Sequence, residues 1–370
     1  MENAWYTIKN VAQIDTPALA IYYDRLEENI TRVIQMAEDI KQLRPHVKTH
    51  KSQAITQLLL ERGIRKFKCA TISEAEMLAQ CNVPDVLLAY QPVGPKQSRV
   101  LNLIKTYQDT QFSCLVDQIE VAECLSRHVR AQKNVVIPVY IDINVGMGRS
   151  GIVPGAEALK LYSQTDSLPG IRVEGFHIYD GHIRNIDLEE REKECNSSFQ
   201  PVESMVETLK KSNIYPTVVA GGSPTFPIHA KRKNVECSPG TFVFWDKGYQ
   251  KSLPEQDLLP AALVLTRIIS MPDDGTICLD LGYKSIASEN PLTQRVSFLN
   301  APKLKPISQH EEHLVMEVAG KHSLRIGDIL YGIPTHICPT VALYDRANVV
   351  IEQQVKEEWG VTARGRKITI

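Results

Sequence analysis

The 370-residue sequence carries almost no net charge: 42 lysines and arginines stand against 43 aspartates and glutamates, a balance of −1. Surfaces built to hold nucleic acid or an anionic membrane carry an excess of cations, so neither partner is expected. No apolar run reaches the roughly 18 residues needed to cross a bilayer. The opening Met1-Glu2-Asn3-Ala4-Trp5-Tyr6 has neither the basic n-region nor the apolar h-region of a secretion signal. None of the eight cysteines forms a CxxC pair, and they fall singly in mostly apolar segments. That pattern reads as reduced core thiols in a cytoplasmic protein, not as a disulfide framework. Internal repeats and low-complexity segments are also missing. What is present is an ordinary globular composition, 43% hydrophobic and 23% charged, in a chain long enough to bury a large core unaided.

From residue 17 to 250 short β-branched runs alternate with longer amphipathic stretches. The strand candidates are His46–Lys48 with its preceding residues, Phe67–Ile72, Val86–Tyr90, Phe112–Val116, Val135–Asn144, Val173–Tyr179, Thr217–Ala220 and Val235–Cys237. They are nearly continuous apolar runs, as strands buried on both faces should be. Leu26–Lys41, Ile72–Gln80, Asp117–His128 and Leu188–Lys211 read as helices between them. The α/β alternation predicts a (β/α)8 TIM-type barrel over 17–250. Beyond a Pro-containing linker at 251–259 the runs become short and closely spaced, among them Leu263–Met271, Thr276–Gly282, Asp328–Ile333 and Thr340–Tyr344. They predict a mostly antiparallel β domain over 251–370, with residues 1–16 packing against it.

Three loop segments carry chemistry. Arg44-Pro45-His46-Val47-Lys48-Thr49-His50-Lys51 places a lysine at the mouth end of a barrel strand, where such folds work. Partial burial and the cationic neighbours His50 and Lys51 would lower the pKa of Lys48 and make it an amine nucleophile toward an aldehyde. On pattern alone, the commoner account of such an octamer is a basic surface loop. Asp142–Gly151 follows the most hydrophobic strand and contains Gly146-Met147-Gly148-Arg149, a turn that brings backbone and guanidinium close to a ligand. Ala220-Gly221-Gly222-Ser223 and Ser238-Pro239-Gly240-Thr241 follow the last two strands, where this barrel commonly seats a phosphate on backbone N–H groups and a hydroxyl.

In this order, the lysine, the Gly-Met-Gly-Arg turn and the two late turns resemble the alanine-racemase-like pyridoxal-phosphate enzymes of fold type III. RPHVKTHK, KFKCATISEAEM, YDGH and PTHICPT are similar to the D-threonine aldolase and D-serine dehydratase branch, across nearly the whole chain. The resemblance implies pyridoxal 5'-phosphate held covalently on Lys48 and Arg149 on the cofactor's phenolic oxygen. Gly222, Ser223, Gly240 and Thr241 would cradle the phosphate. Racemases of this group place an arginine opposite the ring nitrogen where this sequence has Ser238. A neutral partner leaves the ring a weaker electron sink, so a second electrophile is expected.

That electrophile is a divalent metal. The resemblance puts it on His336 and Cys338, and an i, i+2 pair on a strand would place both on one face. By spacing alone a buried thiol beside a structural histidine is the plainer account. Imidazole with thiolate suits zinc, ahead of manganese or magnesium. Tyr179 and His182, in Tyr179-Asp180-Gly181-His182, fall at the barrel mouth, where either could contact the cofactor or transfer a proton, as could His50. The implied activity is metal-assisted lysis of a D-3-hydroxy amino acid, D-threonine to glycine and acetaldehyde. The alternative is D-serine to pyruvate and ammonia. A racemase would need a second base that is not evident, and non-catalytic pyridoxal-phosphate binders are single barrels without the extra domain. Relatives of this type are homodimers, and the same is expected here.

Overall fold

The computed structural model describes residues 4–132 and 135–370, and the chain divides into two compact units. The barrel unit comprises Val33–Lys48, Ile55–Gly240 and Gly365–Ile370; the second comprises the described part of Met1–Arg32, Thr49–Ala54 and Thr241–Arg364. The division falls directly after the last barrel strand, not at the expected 250.

Strand β1 (Ala18–Tyr22) lies in the second unit, a correction to the barrel limit at 17. Among the described residues seven parallel strands follow in the barrel unit: β2 (Lys66–Cys69), β3 (Asp85–Leu88), β4 (Gln111–Val116), β5 (Ile137–Ile143), β6 (Ile171–Ile178), β7 (Thr217–Ala220) and β8 (Val235–Cys237). They pair in chain order, as right-handed crossovers require. The eighth place is taken by the segment before Lys48, which bridges both edge strands, Leu43 to Cys237 and His46 to Lys68. It is bonded on both sides: Arg44 N–H to the Cys237 carbonyl at 2.8 Å, Val47 N–H to the Lys68 carbonyl at 2.9 Å. Pro45 removes one donor from it, which is why it is a bridge and not a regular strand.

Helices α1 (Tyr23–Met36), α2 (Gln53–Glu61), α3 (Ile72–Gln80), α4 (Pro95–Thr106), α5 (Ile119–Arg130), α6 (Ala156–Asp166), α7 (Leu188–Lys210) and α8 (Phe226–His229) alternate with these strands. The predicted strand Phe67–Ile72 ends early because Thr71 starts α3. Its hydroxyl accepts the Glu74 N–H at 3.1 Å, and the Glu74 carboxylate accepts the Ala70 N–H at 2.6 Å, a reciprocal cap. Strand β6 approaches β7 so closely at Gly175, where φ is +155°, that a β-carbon would collide with the Thr217 carbonyl. At the base of the barrel the buried Arg44 guanidinium forks onto Asp85 at 2.7 and 2.9 Å and meets Glu236 at 2.7 Å.

The second unit holds a nine-stranded sheet among the described residues. Beside β1 stand β9 (Ala262–Asp273), β10 (Thr276–Leu279), β11 (Val296–Phe298), β12 (Lys305–Gln309), β13 (Leu314–Glu317), β14 (Ile329–Pro334), β15 (Arg346–Ile351) and β16 (Gln354–Gly360). All described pairings are antiparallel except β1 with β15. Its core includes Ile8, Ile14, Tyr22, Leu263, Leu265 and Tyr331, so the N-terminal segment packs into this sheet. Three expectations are corrected. The supposed linker 251–259 contains the end of α9 (Lys247–Ser252) and a 3-10 turn inside this unit. Thr340–Tyr344 is no strand, because α10 (Ile337–Val341) occupies that stretch, with Pro339 in the first turn where its missing N–H costs nothing. Residues 365–370 return to the barrel unit, where Glu76 accepts the Thr369 N–H at 3.0 Å and Ser73 donates to the Gly365 carbonyl at 2.6 Å. No described helix is long and apolar enough to cross a membrane.

Candidate active site

Two cations flank one aromatic ring at the C-terminal ends of the barrel strands. The Lys48 ammonium lies 5.5 Å from the centroid of the Tyr179 ring and the Arg149 guanidinium 4.6 Å from it. Tyr179 immediately follows β6, and Arg149 belongs to the loop after β5. That loop is shaped by Asn144, whose side-chain oxygen accepts the N–H groups of Gly146 and Gly148 at 3.1 and 3.0 Å. His182 packs so tightly on Gly146 that a β-carbon there would stand 2.7 Å from its Nε2. Lys48, Arg149, Tyr179 and His182 thus all belong to the barrel unit.

Below them is a buried polar layer. Asp142 accepts from His177 Nδ1 at 2.7 Å and from the Ser150 hydroxyl at 2.8 Å. Burial opposes the Asp142 charge, but these bonds and the nearby Lys68 hold its carboxyl below the usual range. Burial, reinforced by Lys68, pushes His177 down to about 4 despite the carboxylate, so its imidazole is neutral and donates through Nδ1. Its Nε2 is buried without a partner among the described residues. Lys68 is itself 4% exposed, and burial together with Lys48 lowers its ammonium to about 7.

The two late turns are tied together by the Ser238 N–H and the Gly221 carbonyl at 3.1 Å. A β-carbon at Gly222 would come within 3.3 Å of the Tyr179 ring, so glycine lets that turn close on the tyrosine. Ser223 is buried beside it. The Ser238 hydroxyl is buried and has no partner among the described residues. A buried hydroxyl without a described partner, in one of two glycine turns tied together, and two basic side chains against one tyrosine ring in the same unit are what a phosphorylated aldehyde with a ring nitrogen would complete. These residues fit pyridoxal phosphate.

Behind Tyr179, Asp180 accepts from His229 Nε2 at 2.9 Å and from Thr225 at 2.8 Å, with Cys195 beside both. Among the described residues this is the one group of three His, Cys, Asp or Glu side chains close enough to share an ion. The carboxylate is already hydrogen-bonded, and burial pushes the Cys195 thiol up to about 12. The group bolts the end of β6 to the turn that follows β7.

In the second unit His336 precedes α10 in extended conformation and Cys338 lies in its first turn, so the pair is not the strand pair expected. The two side chains still meet. Hydrogen bonding to the thiol, with further support from Glu289 and Asp246, raises His336 to about 9. Burial opposes the Cys338 thiolate, but His336 and Thr49 outweigh it and lower the thiol's pKa. Cys338 Sγ lies 3.2 Å from the hydroxyl of Thr49, the residue after Lys48, and 3.6 Å from that of Thr241. Glu289 binds His336 Nδ1, leaving the other ring nitrogen as donor, and Asp246 accepts the Ile337 N–H at 3.1 Å. An imidazole oriented by a carboxylate, beside a thiol that readily loses its proton, is a donor pair that fits zinc. His50 is placed differently from expectation. Its Nδ1 accepts the Ser52 N–H at 3.1 Å and burial lowers its pKa to about 3, so its imidazole is neutral, with the proton on an Nε2 that is buried and has no partner among the described residues.

A family model described as alanine racemase, N-terminal domain, matches residues 21–247, and one described as putative serine dehydratase domain matches 261–350. The chain belongs to the alanine racemase N-terminal family. Curated relatives include a D-threonine aldolase from an Arthrobacter species, 28% identical over 96% of this chain and 94% of the relative. A 3-hydroxy-D-aspartate aldolase from Paracoccus denitrificans is 26% identical over 96% and 93%. The crystal structure of D-threonine aldolase from Filomicrobium marinum superposes with a TM-score of 0.89, at 25% identity and 97% coverage of each chain.

Lys68, His177 and the second-unit residues Thr49, Asp246 and Glu289 lie outside the roles read from the sequence. A lysine between Phe67 and Cys69 in a predicted buried strand is the available signal for the first. Asp246 and Glu289 carry no local pattern.

Proposed function

We propose that the chain is a metal-assisted, pyridoxal-phosphate-dependent lyase of D-3-hydroxy amino acids, and specifically a D-threonine aldolase. The observation that carries the reading is the Lys48–Tyr179–Arg149 arrangement, together with a Ser238 hydroxyl that is buried without a partner among the described residues, in a chain aligned over 96% of its length with aldolases. Lys48 would hold the cofactor, Arg149 would pair with its phenolic oxygen, Ser238 would serve its ring nitrogen, and Gly222, Ser223, Gly240 and Thr241 would hold its phosphate. Pyridoxal phosphate supplies the electron sink for the bond broken at the substrate's Cα. His336 and Cys338 hold a divalent ion, zinc by donor type, whose Lewis acidity serves the substrate's 3-hydroxyl. His182 is exposed at the mouth and takes the hydroxyl proton. Tyr179 positions the cofactor ring.

A second reading is a dehydratase, favoured by the thiolate at Cys338 and by similarity to a D-threo-3-hydroxyaspartate dehydratase from a Delftia species, 26% identical over 75% of this chain. In that case Lys48 removes the α-proton. Incubating cofactor- and zinc-loaded protein with D-threonine, D-serine and D-threo-3-hydroxyaspartate separates them. Aldolase action releases an aldehyde and glycine, whereas dehydration releases ammonia and a keto acid. Keto acid without aldehyde or glycine from any of the three would overturn the aldolase reading. We further propose a homodimer, to be checked by light scattering at micromolar concentration; a monomer refutes it.

A further inference from the structure

Behind Tyr179 lies a buried polar group that the proposed chemistry does not use. Asp180 follows β6 next to Tyr179, Cys195 sits on α7, Thr225 precedes α8 and His229 ends it. All four are buried and belong to the barrel unit. Both Asp180 oxygens are engaged. Oδ1 accepts the Thr225 hydroxyl at 2.8 Å, and Oδ2 accepts His229 Nε2 at 2.9 Å. Burial opposes a charge on Asp180, but these bonds outweigh it and hold its carboxyl below the usual range. An ionised carboxylate in this place makes the imidazole a donor through Nε2.

Both bonds end on the turn that carries Gly221, Gly222 and Ser223. Gly221 has φ +77°, and a β-carbon there would stand 3.1 Å from the His229 ring, so the imidazole is a floor under the turn. The Gly222 carbonyl accepts the N–H groups of Thr225 and Phe226 at 3.2 and 2.8 Å, which closes the turn on itself. Thr225 is therefore both a member of that closure and the residue whose hydroxyl reaches Asp180. Gly222 also lies against the Tyr179 ring, 3.3 Å from where its β-carbon would be. Since Tyr179 and Asp180 are adjacent in the chain, one carboxylate ties the turn to the backbone that carries the tyrosine.

We propose that Asp180, acting through Thr225 and His229, is a positioning residue that sets the preference for phosphorylated over unphosphorylated pyridoxal. This rests on the reading that Gly222 and Ser223 hold the cofactor's phosphate. A phosphate on backbone N–H groups is held by dipoles whose directions belong to the turn and not to a rotatable side chain. Such donors cannot follow the ligand. They have to be aimed beforehand, and a small tilt spoils several bonds at once. A turn built on two glycines has little stiffness of its own. The buried carboxylate supplies it through two charge-assisted bonds, without touching the ligand.

The test compares pyridoxal phosphate with 5'-deoxypyridoxal, which keeps the aldehyde and the ring nitrogen but has a methyl group in place of the phosphorylated arm. The affinity of each for the cofactor-free protein is read from the visible absorption band at fixed pH. Wild type should bind pyridoxal phosphate far more tightly. Thr225→Val removes the hydroxyl at nearly unchanged shape. It should weaken pyridoxal phosphate by roughly tenfold or more, the scale of one lost bond to a charged group, and deoxypyridoxal by less than about twofold. Thr225→Ser keeps the hydroxyl and should restore the preference. Thr225→Ala offers the same comparison with a smaller side chain, should the valine prevent folding. The phosphorus resonance of the bound cofactor should move in Thr225→Val and return in Thr225→Ser, which a general loss of stability would not produce. Equal loss for both ligands, or no loss for either, in the valine and alanine variants overturns the proposal. Wild type that binds deoxypyridoxal as tightly as pyridoxal phosphate refutes instead the phosphate cradle on which the inference stands.

Discussion

At the scale of single residues, burial decides which groups are charged. In the proposed role, Lys48 is the residue whose loss would remove the covalent attachment. Lys48→Ala should be colourless with added cofactor and retain none after borohydride reduction and denaturation, while wild type retains one equivalent on a peptide containing Lys48. Label on any other lysine would refute the assignment. The buried histidines give a second expectation. His177 and His50 fold with pKa values near 4 and 3, against about 6.5 unfolded. Between pH 6.5 and 4 the unfolded chain binds protons that the folded chain does not, so stability falls as pH falls. Each histidine contributes a slope approaching about 1.4 kcal/mol per pH unit in that window. Asp142 acts lower, since its depressed carboxyl stabilises the fold above the ordinary carboxylate range and loses that effect only as pH drops through it. Denaturant midpoints of His177→Gln should therefore depend less on pH between 6.5 and 4 than those of wild type.

At the scale of elements, the barrel is closed by a segment that is not a full strand, and Arg44 fixes it there. The guanidinium is 1% exposed, and Asp85 and Glu236 are its partners on β3 and β8. Removing one side of a buried pair leaves uncompensated charge, so Arg44→Met should cost about 3–5 kcal/mol in unfolding free energy. It should also loosen Lys48, four residues on. Urea unfolding measures the first effect, and a loss below about 1 kcal/mol would show that the segment is held otherwise. The barrel strands were legible because each is an apolar run buried on both faces, and α3 because Thr71 and Glu74 cap it. The barrel limit was set too early, at 17, because Ala18–Tyr22 is also an apolar run and nothing in it tells a barrel from a β sheet. The α10 turn was read as a strand because its β-branched residues outweighed the helix-start signal of Pro339. The proposed cofactor residues lay on loops with motifs, whereas Asp246 and Glu289 come to Ile337 and His336 only through tertiary folding.

At the scale of the molecule, the proposed cofactor and metal residues fall in two differently built units. Lys48, Tyr179 and Arg149 belong to the parallel barrel unit, whereas His336 and Cys338 belong to the unit formed around the mixed sheet. In the proposed division of labour the first supplies the cofactor residues apart from Thr241 and the second polarises the substrate's oxygen, so loss of the metal pair should leave the cofactor's signature intact. A strong chelator, or Cys338→Ala, should leave the visible band of the bound cofactor and its pH dependence unchanged. Turnover of D-threonine should fall by orders of magnitude, because Lewis-acid stabilisation of the reacting oxygen is worth several kcal/mol. Zinc should restore more activity to chelated wild type than manganese or magnesium, which prefer oxygen donors. Cys338→Asp, which offers oxygen in place of sulfur, should shift that preference toward manganese. Chelated protein that kept full activity would leave Cys338 a structural thiol held by Thr49 and Thr241. Chelated protein that lost its colour would place the metal's role in cofactor binding and not in the chemistry.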